Sequence, residues 1–220
     1  NTEKILILGA GAIGALYGGK LQQAGYDVSV IAHSDGDIIL ARGIEIQSVW
    51  GDFVFRPTAV YRSVSEVPEP PSYLIIALKA LSDLSIPTMI SPLIGSETVI
   101  VLLQNGIGIE AAYRQHYPNN ILISSLAFVC SNKIGPGKIH HLDYGKIVFG
   151  NYPKGENQDT HFLKSAFDRV GVPCKIDADI QHARWVKLVW NAPFNPLSVL
   201  FGGLNTTEMM LDPYVSYLAE

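Results

Sequence analysis

The sequence has little cysteine, little charge and no long apolar run. Its two cysteines, Cys130 and Cys174, lie far apart in the 220 residues, and neither sits in a C-x-x-C pair. That excludes a disulfide-stapled scaffold and a thiol redox motif, and it points to a reducing compartment, the cytoplasm. Of the six histidines only His140 and His141 are neighbours, and there is no H-E-x-x-H, so no metal site is expected. Charged residues make up only 16% of the chain, whereas about 25% is usual in a soluble domain. With 48% hydrophobic residues, this composition excludes a disordered polyelectrolyte. Basic runs are missing and the net charge is −4, which excludes binding to nucleic acid through a phosphate footprint. The apolar runs are strand-length, far below the ~20 residues that cross a bilayer. No signal-peptide pattern opens the chain, so no membrane partner is expected.

Glycine in the right places is what the sequence does have. An apolar run over 5–8 ends in Gly9-Ala10-Gly11-Ala12-Ile13-Gly14, which fits G-x-G-x-x-G. Ile13, Leu16, Tyr17, Leu21 and Ala24 then recur at helical spacing, Gly25 stops the helix, and 28–32 is the next apolar run. A glycine loop between a buried strand and a helix, inside a strand–helix–strand unit, is the context of dinucleotide binding. Gly9 allows the tight turn, Gly11 lets a pyrophosphate approach the backbone, and Gly14 lets helix and strand pack closely. The helix N-terminus offers its N–H groups and positive dipole end to the phosphates. The second strand closes on Ala32-His33-Ser34-Asp35. No acid ends it to hold the ribose 2′-OH of NAD, and no Arg is there for a 2′-phosphate. His33 and Ser34 are left as donors to a phosphate, or as solvated loop residues.

Further along, 44–49 and 53–61 read as edge strands around a turn, 73–78 and 98–103 as buried strands, and 121–127 as another strand. A short helical stretch broken at Pro87 and Pro92 is expected after Lys79, and a helix over 109–116. Two or three antiparallel strands are expected in 133–150, a helix over 159–170 and a last strand over 174–178. Lys79 and Asn105 follow two of the buried strands, at the sheet edge where open α/β sheets bind ligands. From 180 the pattern turns helical, with one long helix to 200 disturbed at Pro193 and Pro196. Asp212 followed by Pro213 reads as an N-cap and first residue of a helix that meets no stop before Glu220. The expectation is a Rossmann-type doubly wound α/β domain over 1–178, then the start of an all-α domain over 179–220 that is incomplete.

In the long helix Lys187, Asn191 and Asn195 fall at i, i+4 and i+8, on one face. The other faces are large and hydrophobic, so this helix is expected to be buried nearly all round. A buried Lys with two buried Asn needs polar partners, which a ligand supplies. Desolvation lowers a lysine pKa and suits it to proton donation near neutrality. A polar stripe facing water is the plainer alternative.

With these residues assembled, the chain resembles the ketopantoate reductases. The resemblance runs over nearly the whole chain. It is carried by Gly9 to Gly14, Leu78-Lys79-Ala80, Gln104-Asn105-Gly106-Ile107-Gly108, the Gly135-Pro136-Gly137 turn, and Lys187-Leu188-Val189-Trp190-Asn191 through Asn195-Pro196-Leu197. It implies reduction of a 2-keto acid, ketopantoate, to its 2-hydroxy acid by NADPH, on the route to pantothenate and coenzyme A. It implies Lys187 as general acid, with Asn191, Asn195 and Asn205 on the substrate. It implies Lys79 and Asn105 as cleft contacts to cofactor and substrate, and Cys130 near a cofactor backbone contact. The family places Arg where this chain has His33, and it continues through further helices. A paralogue acting on another 2-keto acid and a non-catalytic NADP(H) sensor are the rival readings. Mean hydropathy of +0.21 adds the expectation that residues from Ile180 onward are left exposed or covered by a second copy, a homodimer.

Overall fold

The computed structural model describes residues 3–79 and 85–219. Ala80 and part of the helical stretch expected after Lys79 lie outside the described residues. By its contacts the chain separates into two compact units, Asn1–Ile180 and Gln181–Glu220.

The first unit opens with β1 (Lys4–Leu8), α1 (Ala12–Gln23) and β2 (Asp27–Ile31), a parallel strand–helix–strand unit. A helix that the sequence reading did not anticipate follows, α2 (Gly36–Arg42). Then come β3 (Ile44–Ser48), β4 (Phe53–Phe55), β5 (Val60–Tyr61), β6 (Tyr73–Ile76), α3 (Ile86–Met89), β7 (Val99–Leu102) and α4 (Ile109–His116). The unit closes with β8 (Leu122–Gly135), β9 (Lys138–Asn151), α5 (Gln158–Asp168) and β10 (Cys174–Ile176). These strands form one mixed sheet in the order β4-β3-β9-β8-β7-β6-β1-β2-β5, with β10 paired to β9. From β5 to β8 every pairing is parallel. The order reverses between β1 and β6, which is the switch point where such sheets bind ligands.

Period-two alternation sets the two faces of the sheet. Ile5, Ile7, Val28, Val30, Ile75 and Val101 pack on one side with Leu16, Tyr17 and Leu21 of α1. Leu6, Leu8, Leu74, Ile76, Ile100 and Leu102 pack on the other with Ile86, Ile90 and Tyr113. Strands buried on both faces are the reason these segments read as unbroken apolar runs.

One expectation about the sheet needs correction. The stretch 53–61 is not one strand. β4 pairs antiparallel with β3 at one edge of the sheet, whereas β5 pairs parallel with β2 at the opposite edge. Pro57, which lacks the N–H a ladder needs, stands in the break. Region 133–150 holds the end of β8, a turn at Pro136-Gly137 and most of β9, two antiparallel strands as expected, and they belong to a longer hairpin whose first arm starts at Leu122. Gly137 takes φ +63°, where a side chain would be strained. β9 also pairs parallel with β3, so the arm joins the β3–β4 hairpin to the main sheet.

The second unit holds most of α6 (Ile180–Leu200), then α7 (Thr206–Leu211) and α8 (Pro213–Ala219). α6 runs on through Pro193 and Pro196 as one helix. Each proline lacks the N–H that would bond the carbonyl of Val189 or Ala192. α7 was not anticipated; Asn205 caps it, accepting from the Glu208 N–H at 3.0 Å. Asp212 caps α8 as expected, its Oδ1 accepting from the N–H groups of Tyr214 and Val215 at 2.9 and 3.1 Å. Phe194, Met209 and Val215 form a small core. That core is too small to cover α6, which is apolar nearly all round. Val189 is 77% exposed and Val199 81%, so the expectation of a helix buried nearly all round fails. Among the described residues no helix is long and apolar enough to cross a membrane.

Candidate dinucleotide cleft and polar helix face

The glycine turn is built by close contact. Gly9 has φ +105°, and a Cβ there would come within 2.9 Å of the Leu78 side chain. A Cβ on Gly14 would stand 2.0 Å from the Gly9 carbonyl oxygen and 3.1 Å from Ala77 and Ile7. Gly14 therefore sets how tightly α1 sits on β1. Gly11 differs. A Cβ there would meet nothing within 4 Å, so its backbone faces open space. Gly11 is also the N-cap of α1; it offers no side-chain cap, and no acidic residue lies in the first turn. The N-terminal N–H groups of a helix left in this state suit an anion.

Gly9, Ala10 and Gly11 floor a cleft of about 620 Å³. Its walls include Leu8 and Ile31 at the ends of β1 and β2, His33, Ser34 and Asp35 after β2, Arg62 and Val64 after β5, and Lys133 near the tip of β8. The volume falls in the range of small-molecule sites, about 300–1,000 Å³. Apolar walls, bare backbone at a helix start and the cations Arg62 and Lys133 in the lining are features that suit a dinucleotide.

Of the expected site residues, Gly9, Ala10, Gly11 and His33 line this cleft. Ala12 and Ile13 are partly buried in the first turn of α1, and Gly14 is buried beneath it. Lys79 follows Leu78 and is exposed, and Asn105 is exposed after β7. Cys130 is exposed in β8, opposite Asp143. Its neighbour Ser131 donates to the Ala12 carbonyl at 3.4 Å, which keeps this part of β8 beside the glycine turn.

Several residues escaped the sequence reading. Arg62 donates from Nη1 to the His33 carbonyl at 3.1 Å and forms an ion pair with Asp37. Asp35 is buried, and its carboxylate takes three donors: the Gly137 N–H at 2.9 Å, Lys133 at 2.8 Å and Ser34 Oγ at 3.1 Å. Burial pushes this carboxyl up, but those hydrogen bonds outweigh burial and hold it below the usual range. The pair Asp35–Lys133 joins residues 98 positions apart, so no local motif reveals it. Arg62 stands at the carboxyl end of β5, the parallel neighbour of β2, a pairing that no local pattern in 53–61 shows. Gln104, nearly buried, donates to the Leu78 carbonyl at 2.8 Å and accepts from the Tyr113 hydroxyl at 3.0 Å.

In the second unit Lys187, Asn191 and Asn195 share one face of α6, with Lys187 and Asn191 partly buried and Asn195 exposed. Burial, and then the nearby Arg184 charge, push the Lys187 ammonium down to about 8. A lysine so tuned exchanges a proton near neutral pH. Asn205 spends its side-chain oxygen on the cap of α7.

A family model described as ketopantoate reductase PanE/ApbA matches residues 5–154, and its C-terminal companion matches residues 179–220. The chain is 36% identical over 225 residues to a 2-dehydropantoate 2-reductase of Nostoc sp., covering 100% of this chain and 70% of that protein. It is 30% identical over 203 residues to the 2-dehydropantoate 2-reductase of Aquifex aeolicus, covering 90% of this chain and 63% of that one. The crystal structure of 2-dehydropantoate 2-reductase from Methylococcus capsulatus matches with a TM-score of 0.89 and 39% identity, over 98% of this chain and 69% of that chain. The chain therefore spans 63% to 70% of the length of these three relatives.

Proposed function

The chain belongs to the ketopantoate reductase PanE/ApbA family, and on that premise we propose that it reduces ketopantoate to pantoate with NADPH. The relatives named 2-dehydropantoate 2-reductase support the substrate. The observation that carries the chemistry is Lys187, a lysine pushed down to about 8 on the same helical face as two asparagines.

The dinucleotide, when bound, supplies the hydride that reduces the 2-keto carbon. Lys187 meets the carbonyl oxygen as an ammonium, stabilises the negative charge gathering there and gives up its proton. Asn191 and Asn195, one and two helical turns further on, hold the hydroxyl and carboxylate of the substrate through their amides. Asn205 adds a contact through its amide nitrogen, its oxygen being used in the cap. Gly9 to Gly14 hold the pyrophosphate on the N-terminus of α1. Lys79 and Asn105, at the ends of β6 and β7, contact cofactor and substrate. His33 lies toward the adenosine ribose, and Cys130 contributes backbone.

The test is NADPH consumption with ketopantoate and a panel of other 2-keto acids. Turnover of ketopantoate ahead of the panel, lost in Lys187→Ala, supports the reading. Turnover of another 2-keto acid alone overturns the substrate. Dinucleotide binding with no turnover on any 2-keto acid overturns the enzyme and leaves a sensor.

A further inference from the structure

Resting on the reading of the cleft as a dinucleotide site, we propose that Arg62 makes it select a ribose carrying a 2′-phosphate, and that Asp37 is the group this phosphate displaces. A cleft that selects the 2′-hydroxyl needs an acceptor carboxylate beyond β2. Two acids stand there, and both are engaged. Asp35 is filled by Gly137, Lys133 and Ser34. Asp37 is paired with Arg62.

The donors favour a phosphate. Arg62, Lys133 and Ser34 all line the cleft, Arg62 on the His33 carbonyl and the other two on the Asp35 carboxylate. The guanidinium is held from two sides. One Nη donates to the His33 carbonyl, and a Cβ on Gly36 would fall 2.7 Å from Nε, so only glycine at 36 leaves the group room where it lies. The Arg62 N–H donates to the Glu66 carboxylate at 2.8 Å, which fixes the residue's backbone. A planar fork so placed binds phosphate oxygens in pairs.

Asp37 is the movable partner. Its side chain is 88% exposed, against 39% for Arg62. An exposed ion pair is weak, because water and salt compete for both charges. A phosphate dianion brings more charge and three acceptor oxygens to the same guanidinium. Asp37 can swing into water as the phosphate arrives, leaving Arg62 paired throughout. The anion-binding residue thus comes from the end of β5, not from the end of β2 where His33 stands.

Calorimetric titration with 2′,5′-ADP and 5′-AMP tests this, since the two probes differ only by the 2′-phosphate. The chain is expected to bind 2′,5′-ADP at least about tenfold more tightly, the worth of one charge-assisted contact. Arg62→Gln should bring the two affinities to within about threefold while 5′-AMP binding stays, which also reports an intact fold. Asp37→Asn, which leaves Arg62 in place, should tighten 2′,5′-ADP and not 5′-AMP. Equal binding of both probes by the unaltered chain overturns the proposal. So does an undiminished preference in Arg62→Gln, or unchanged or weaker 2′,5′-ADP binding in Asp37→Asn. These failures leave the dinucleotide reading standing provided NADPH or NADH binds. Binding of neither dinucleotide overturns that reading and the proposal with it.

Discussion

Gln104, just beyond β7, donates from Nε2 to the Leu78 carbonyl, just beyond β6, at 2.8 Å. Its Oε1 accepts from the Tyr113 hydroxyl of α4 at 3.0 Å. One nearly buried amide therefore ties together two strand ends, the one leading to Lys79 and the one leading to Asn105. Gln104→Leu strands the Leu78 carbonyl and the Tyr113 hydroxyl together, so a loss of about 1–3 kcal/mol in unfolding free energy is expected. Urea denaturation measures it. Dinucleotide affinity should fall as well, because both strand ends border the binding edge.

Gly11 and Gly14, the second and third glycines of the motif, should separate stability from binding. Gly14→Ala puts a methyl 2.0 Å from the Gly9 carbonyl, and neither backbone can yield without moving α1 off β1. A loss of several kcal/mol is expected, of the order seen for overpacked cores or more. Gly11→Ala places its methyl in open space, so the melting temperature should stay within a degree or two while dinucleotide binding weakens. Thermal melts and fluorescence titrations on the same samples read both quantities.

Asp35 makes a pH prediction whose sign follows from its environment. Its folded-state pKa lies below the ordinary 3.8, so its contribution to stability is full above that value. The contribution is lost as acid carries the pH down through the lower folded-state value. Asp35→Asn removes this titration and weakens the Lys133 contact. The variant should be less stable at neutral pH, and the difference from the unaltered chain should shrink below about pH 4. Chemical denaturation at a series of pH values checks it.

Lys187 makes the second pH prediction. As general acid it must be protonated, so kcat/KM for ketopantoate reduction should fall as pH rises through about 8. The reverse oxidation of pantoate needs the neutral amine and should rise over the same interval. Replacing Arg184 by Gln removes the nearby positive charge and should move both limbs upward in pH. Profiles that ignore this interval contradict a catalytic Lys187.

How much of this was legible in the sequence depends on how local the cause is. The glycine turn was legible because Gly9, Gly11 and Gly14 act within one strand–turn–helix. The Asp212 cap of α8 was legible for the same reason. The place of β5 was not, since 53–61 carries one apolar pattern and only pairing shows that β4 and β5 lie on opposite edges. Arg62 is hidden with it, because it belongs to the cleft only once β5 is known to lie beside β2. Lys133 reaches Asp35 through a long hairpin whose length no local signal set. The face of α6 bearing Lys187 was readable from helical spacing. The exposure of its apolar side was not, because burial depends on what covers it.

The proposed function turns on Lys187 as the proton donor to the substrate of an NADPH-dependent ketopantoate reductase. Its most direct test is the rate of ketopantoate-dependent NADPH oxidation by the chain and by Lys187→Ala, with pantoate measured as product. One pantoate formed per NADPH consumed is expected, with a fall in kcat of about 10²–10⁴ in the variant and NADPH affinity kept. Equal rates in the two proteins, or NADPH oxidation without pantoate, would contradict it.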